Sequence, residues 1–135
     1  MNILLVDDDQ FILDMLSQVL EREGYTVKTA EDGEDAVNAL KSFKPDVMIT
    51  DILMPKKSGT ALIEEVKASH PHLEIIAISG GGRNEPIGYL DLSEELGASI
   101  SFAKPVDNEA LLMSIALLKF KEHKKPASVT ADSAD

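Results

Sequence analysis

Short runs of consecutive apolar residues alternate along this chain with longer segments whose apolar positions recur every three to four residues. The short runs are "ILLV" (3–6), "YTVKT" (25–29), "DVMIT" (46–50), "EIIAIS" (74–79) and "ISFA" (100–103). The longer segments are 11–22, 34–43, 61–68, 87–96 and 108–121. In the first of these, Phe11, Ile12, Met15, Leu16, Val19 and Leu20 fall on one stripe at the helical period, which predicts an amphipathic helix with that stripe on the core. Ala36, Val37, Leu40 and Phe43 make the same pattern in the second. Gly24 and Gly97 stand just past predicted helix ends, and Pro45 and Pro71 bar continuation of the second and third helices. Strands that are apolar on successive residues are covered on both faces, and strict alternation with helices makes their sheet parallel. The predicted fold class is a doubly wound α/β sandwich of five strands and five helices.

Length and composition narrow this further. The chain has 135 residues, 44% of them apolar, enough for one domain with a real core. We place that domain at 1–122 and expect the small, polar, Pro-containing stretch "HKKPASVTADSAD" (123–135) to be a tail without fixed structure. The absence of cysteine removes disulfides, thiolate metal sites and cysteine nucleophiles together. A net charge of −11 repels nucleic-acid phosphate and anionic lipid. The first apolar run is too short for a signal-peptide core or a membrane span. The expectation is a cytoplasmic protein with neither nucleic acid nor membrane as partner.

In an open parallel sheet, ligands bind beyond the carboxyl ends of the strands, where connections to the two faces diverge. The residues there are Asp7 and Asp8 after the first strand, Asp51 after the third, Ser79 after the fourth and Lys104 after the fifth. Clustered carboxylates repel by about 4 kcal/mol per pair at 4 Å and an effective dielectric near 20, so a divalent cation between them is expected. An all-oxygen site suits Mg²⁺. Lys104 and Ser79 would meet the oxygens of a phosphoryl group, and Asp51 would be the nucleophile that receives it as an aspartyl phosphate. Asp9 stands where the first helix begins and reads better as its N-cap than as a ligand. His70 and His72, without partners at metal spacing, read as surface residues. Met54 reads as a packed turn residue, and the glycines of "SGGGR" as a flexible loop, since no GK[ST] follows.

"LLVDDD", "DVMITDILMPKKSG", "IIAISG" and "GASISFAKP", in this order and spacing, resemble the receiver domain of two-component response regulators over residues 2 to about 121. The resemblance implies a flavodoxin-like sheet of order 2-1-3-4-5. It implies that Asp51 takes a phosphoryl group from a sensor histidine kinase or histidine phosphotransfer protein. It further implies that Asp7, Asp8, Asp51 and the backbone carbonyl of Leu53 hold Mg²⁺, that Lys104 and Ser79 contact the phosphoryl group, and that Lys104–Pro105 is a cis peptide. The expected function is a stand-alone, phosphorylation-controlled module that binds a downstream target protein, with no multiple-turnover substrate. Two other readings are weighed beside it. One is a pseudo-receiver that binds partners constitutively, and the other a haloacid-dehalogenase-type phosphatase with Asp7 as nucleophile and Asp9 as acid.

The sequence departs from the family pattern at Ser101, where most relatives carry Tyr or Phe. Phe102 must point to the opposite face of its strand, because side chains alternate. The ordinary coupling through an aromatic ring is therefore not available, and the glycine-rich segment Gly80 to Gly88 is the expected moving part. Leu53 and Gly81, where the family tunes phosphate hydrolysis, offer no polar side chain to orient a water.

Overall fold

The computed structural model describes residues 1–52, 54, 58–79 and 94–132, with side chains through residue 120. Five parallel strands, β1 (Asn2–Val6), β2 (Thr26–Ala30), β3 (Val47–Asp51), β4 (Glu74–Ser79) and β5 (Ile100–Ala103), form one sheet of order β2-β1-β3-β4-β5. Between them lie α1 (Gln10–Arg22), α2 (Gly33–Ala39) and α3 (Gly59–Ser69), and a C-terminal helix spans Asn108–Asp132. Glu94, Glu95 and Leu96 are helical and stand at the end of the predicted fourth helix; its residues 87–93 lie outside the described residues. The doubly wound fold and the strand order match the expectation.

Side-chain alternation sends the central strands' residues to two cores. Leu4, Val6, Met48, Ile75 and Ala77 pack against α2 and α3, while Ile3, Leu5, Val47, Ile49, Ile76 and Ile78 pack against α1 and the C-terminal helix. β1, β3 and β4 are therefore apolar on successive residues. β2 and β5 are the sheet's edges and are only partly covered.

The helix ends follow local chemistry. Asp9, Asp32 and Ser58 cap α1, α2 and α3, each accepting a backbone N–H of the first turn. Gly24 and Gly97 have φ of 92° and 129°, a region that costs glycine least. Three sequence expectations shift. The buried face of α1 is Leu13, Leu16 and Leu20, whereas Phe11 and Met15 are exposed. α2 stops at Ala39, short of Phe43, which still packs on the core from the following turn. The helical backbone also continues through residues 123–132, where the composition predicts a tail.

Candidate functional site

β1 and β3 are neighbours in the sheet, yet the chain leaves β1 toward α1 on one face and reaches β3 from α2 on the other. Their carboxyl ends thus border a crevice at the point where the winding reverses. Each strand ladder runs one residue past its formal end: Asp7 N–H donates to the Ala30 carbonyl, Ile52 N–H to Ile78, and Lys104 N–H to Ser79. These bonds hold the site backbone in register with the sheet.

Asp7 and Asp51 are buried and Asp8 is exposed, and one carboxylate oxygen from each lies within 4.8 Å of the others. Lys104 Nζ stands 3.1 Å from Asp7 Oδ2 and 3.5 Å from Asp51 Oδ1. Asp7 also accepts the Asp9 N–H. Asp51 Oδ1 is fully buried and, beyond the ion pair with Lys104, has no hydrogen-bond partner among the described residues. A buried acceptor without a donor is costly unless something binds it. The three carboxylates and Lys104 thus stand together, with Lys104 offsetting part of the repulsion.

Burial raises the Asp51 carboxyl to about 7, the nearby Asp7 charge adds to the rise, and Lys104 opposes it. Burial also raises Asp7, against the Asp9 N–H and Lys104, which favour its charged form. For Lys104 burial acts downward, but Asp51 and Asp7 outweigh it and leave the ammonium above its ordinary range. The cause throughout is one dry pocket holding two acids and one base.

Ser79 ends β4, is 2% exposed, and adjoins Lys104 through the backbone bond already described. Asp9 caps α1 by accepting the Phe11 N–H, as expected, and points its carboxylate into that turn. Leu53, expected to supply the carbonyl ligand, and the segment Gly80 to Gly88, expected to be the moving part, lie outside the described residues. Lys104–Pro105 is cis. Ser101 donates to Glu94 Oε2 at 2.6 Å, and Phe102 packs on the opposite face with the α1 core. Met54 packs against the other core, and His70 and His72 are exposed.

Two supports of the site escaped the sequence reading. Thr50 Oγ1 donates to the Asp51 carbonyl from a fully buried position. Gly59 lies directly over the Asp51 and Ile52 backbone, where a Cβ would collide with the Asp51 carbonyl oxygen, and its N–H donates to the Ile52 carbonyl at 2.6 Å. The only signal available was the Ser-Gly pair opening α3.

Residues 3–116 match the family model described as the response regulator receiver domain. The chain belongs to the response regulator receiver family. Among its relatives is the chemotaxis protein CheY of Treponema pallidum, 35% identical over 117 residues that make up 84% of this chain and 79% of that protein. The transcriptional regulatory protein CpxR of Klebsiella pneumoniae is 33% identical over 121 residues, 90% of this chain but 50% of CpxR. This receiver thus spans about half the length of the first curated relatives it matches. A CheY-like receiver domain from Methanospirillum hungatei, solved as a crystal structure, superposes with a TM-score of 0.82 at 31% identity, covering 91% of this chain and 97% of that one. Receiver domains signal by phosphoryl transfer and bind Mg²⁺ at an acidic pocket, and the acidic cluster here is of that kind. They interact with histidine kinases or phosphotransfer proteins and with downstream targets. Among the described residues no helix is long and apolar enough to cross a membrane.

Proposed function

We propose that Asp51 is the phosphoryl acceptor of this receiver, that the donor is a phosphohistidine of a sensor histidine kinase or histidine phosphotransfer protein, and that the product signals by controlled binding to a target protein. The observation that carries this reading is the buried Asp51 Oδ1, 3.5 Å from Lys104 Nζ and beside a pair of acids. An Asp51 oxygen attacks phosphorus, the P–N bond to the donor imidazole breaks, and an acyl phosphate forms. Lys104, already in the pocket, shifts from the carboxylates toward the new phosphoryl oxygens, and Ser79 supplies a hydroxyl at the adjoining strand end. Asp7, Asp8, Asp51 and the Leu53 carbonyl would hold Mg²⁺, which neutralises charge on the transferring group.

The docking of a protein donor follows from the same region. Phe11 is 71% exposed at the start of α1, and Met15 one turn on is also exposed. Beside them a cavity of about 480 Å³ is lined by Ile12, Met15, Leu16, Lys104, Pro105 and Val106. An apolar surface that runs into the pocket of the reactive lysine suits a phosphodonor protein better than a small ester.

The phosphatase reading needs Asp9 as acid, but its carboxylate is engaged as a helix cap, and Asp51 would then have no role. A net charge of −11 speaks against nucleic acid as a partner, and the absence of cysteine fits a cytoplasmic setting. The test is transfer from a labelled phosphohistidine donor with and without Mg²⁺. Label moving to this chain stoichiometrically and only with Mg²⁺ is the expected result. Multiple turnover of a simple phosphate ester with no retained label would overturn the reading.

A further inference from the structure

The peptide unit that joins Asp51 to Ile52 is held on every side. The β1–β3 ladder ends at the Val6–Thr50 pair, so the Asp51 carbonyl lies one position beyond it. Among the described residues no backbone N–H donates to that carbonyl; Thr50 Oγ1 does, at 2.9 Å. At the other end of the same unit, Ile52 N–H donates to the Ile78 carbonyl at 2.9 Å. Gly59 lies directly over it, where a Cβ would collide with the Asp51 carbonyl oxygen and the Ile52 Cα. A planar peptide pinned at both its N–H and its C=O cannot turn, and the direction in which Asp51 projects its side chain follows from that plane.

Packing does not call for the Thr50 hydroxyl. Thr50 is 0% exposed, and its register neighbours Val6 and Ala77 belong, with Leu4, Met48 and Ile75, to the apolar layer under α2 and α3. Burying a hydroxyl among methyl groups costs free energy that only its hydrogen bond offsets. A valine would fill the same space without that cost, so the hydroxyl is explained by the carbonyl it holds.

We propose that Thr50 is a positioning residue for phosphoryl transfer, its hydroxyl pinning the Asp51–Ile52 peptide so that the Asp51 carboxylate meets the donor in a reacting orientation. This role rests on the reading of Asp51 as the acceptor. The hydroxyl is buried and bonded to the backbone, so it acts through Asp51 and not on the donor. A reacting atom displaced by about 1 Å can slow a reaction about 100-fold, so a small turn of this peptide is enough to matter.

The test is the rate at which phosphoramidate, a P–N donor too small to need a docking surface, labels the whole chain at saturating Mg²⁺, followed by intact mass. Thr50→Val keeps the shape and removes the hydroxyl, and should slow labelling of Asp51 by about tenfold or more. Thr50→Ser keeps the hydroxyl and opens a gap of one methyl, and should label within about threefold of wild type although it melts lower. A role in packing alone would make the rate follow stability instead. In the metal-free protein, exchange of the Ile52 amide, measured against that of Ile49, should be about tenfold faster in Thr50→Val and unchanged in Thr50→Ser. Should Thr50→Val not fold, Thr50→Ala and Thr50→Ser differ by the hydroxyl alone and make the same comparison, the first slow and the second fast. Equal labelling rates with and without the hydroxyl, or an Ile52 amide equally protected with and without it, would overturn the proposal while leaving all label on Asp51. Label retained on Asp51→Asn would instead overturn the acceptor reading, and the role of Thr50 with it.

Discussion

Asp51 is asked to be both buried and nucleophilic. Burial and the neighbouring Asp7 hold its carboxyl near 7, far above the ordinary aspartate value of 3.8. The folded state therefore binds a proton at Asp51 that the unfolded chain has released. That contribution to stability is fully present below pH 4 and is lost as pH rises through 7. For the metal-free protein, Asp51→Asn should remove this loss and be more stable than wild type by about 2 kcal/mol at pH 8, with the two converging toward pH 4. Urea titrations at both pH values in the presence of a chelator check this; parallel stability curves would contradict it. Asp8 is the exposed member of the cluster, so its carboxylate is dispensable for packing. Asp8→Ala should weaken Mg²⁺ binding by about tenfold or more while leaving the fold unchanged. Calorimetry on wild type and variant reads this directly, and equal affinities would remove Asp8 from the metal seat.

At the scale of elements, the site depends on how close α3 comes to the end of β3. Gly59→Ala would drive a Cβ into the Asp51 carbonyl, so α3 must withdraw at a cost of about 1–3 kcal/mol. It should also slow phosphorylation, because the displaced backbone carries the acceptor. A variant with normal melting and normal labelling would show that the close approach is not needed. α1 makes the opposite prediction: Phe11→Ala should change stability by less than about 0.5 kcal/mol, since the ring is exposed. It should slow transfer from a protein donor and leave a small-molecule donor unaffected, as a competition between the two donors would reveal. The legibility of these features in the sequence differs for a physical reason. Strand-terminal residues could be read because each closes an apolar run, and Asp9 because capping is local. The Thr50 and Gly59 contacts could not, since both are set by the approach of one element to another. In α1 the window from Phe11 to Leu20 is so rich in apolar residues that two overlapping stripes satisfy the helical period. Only the seating of the helix on the sheet selects Leu13 over Phe11.

For the whole molecule, sheet order brings residues 7, 51, 79 and 104 to one edge, although they are scattered over most of the chain. That gathering was legible, because a parallel sheet fed by alternating helices aligns all its carboxyl ends. The C-terminal helix was less so: composition reads residues 123–132 as tail, and a single Pro with small polar residues does not reveal a helix carried on from a packed start. Ser101, at the position where the receiver resemblance leads one to expect an aromatic ring, donates to Glu94 instead. The central claim is that Asp51 receives the phosphoryl group in a Mg²⁺-dependent step. Intact-mass spectrometry after exposure to a phosphodonor tests it most directly. The account predicts one added phosphoryl group on the wild-type chain with Mg²⁺, none with a chelator, and none on Asp51→Asn under either condition. An undiminished phosphoryl mass on Asp51→Asn would contradict it.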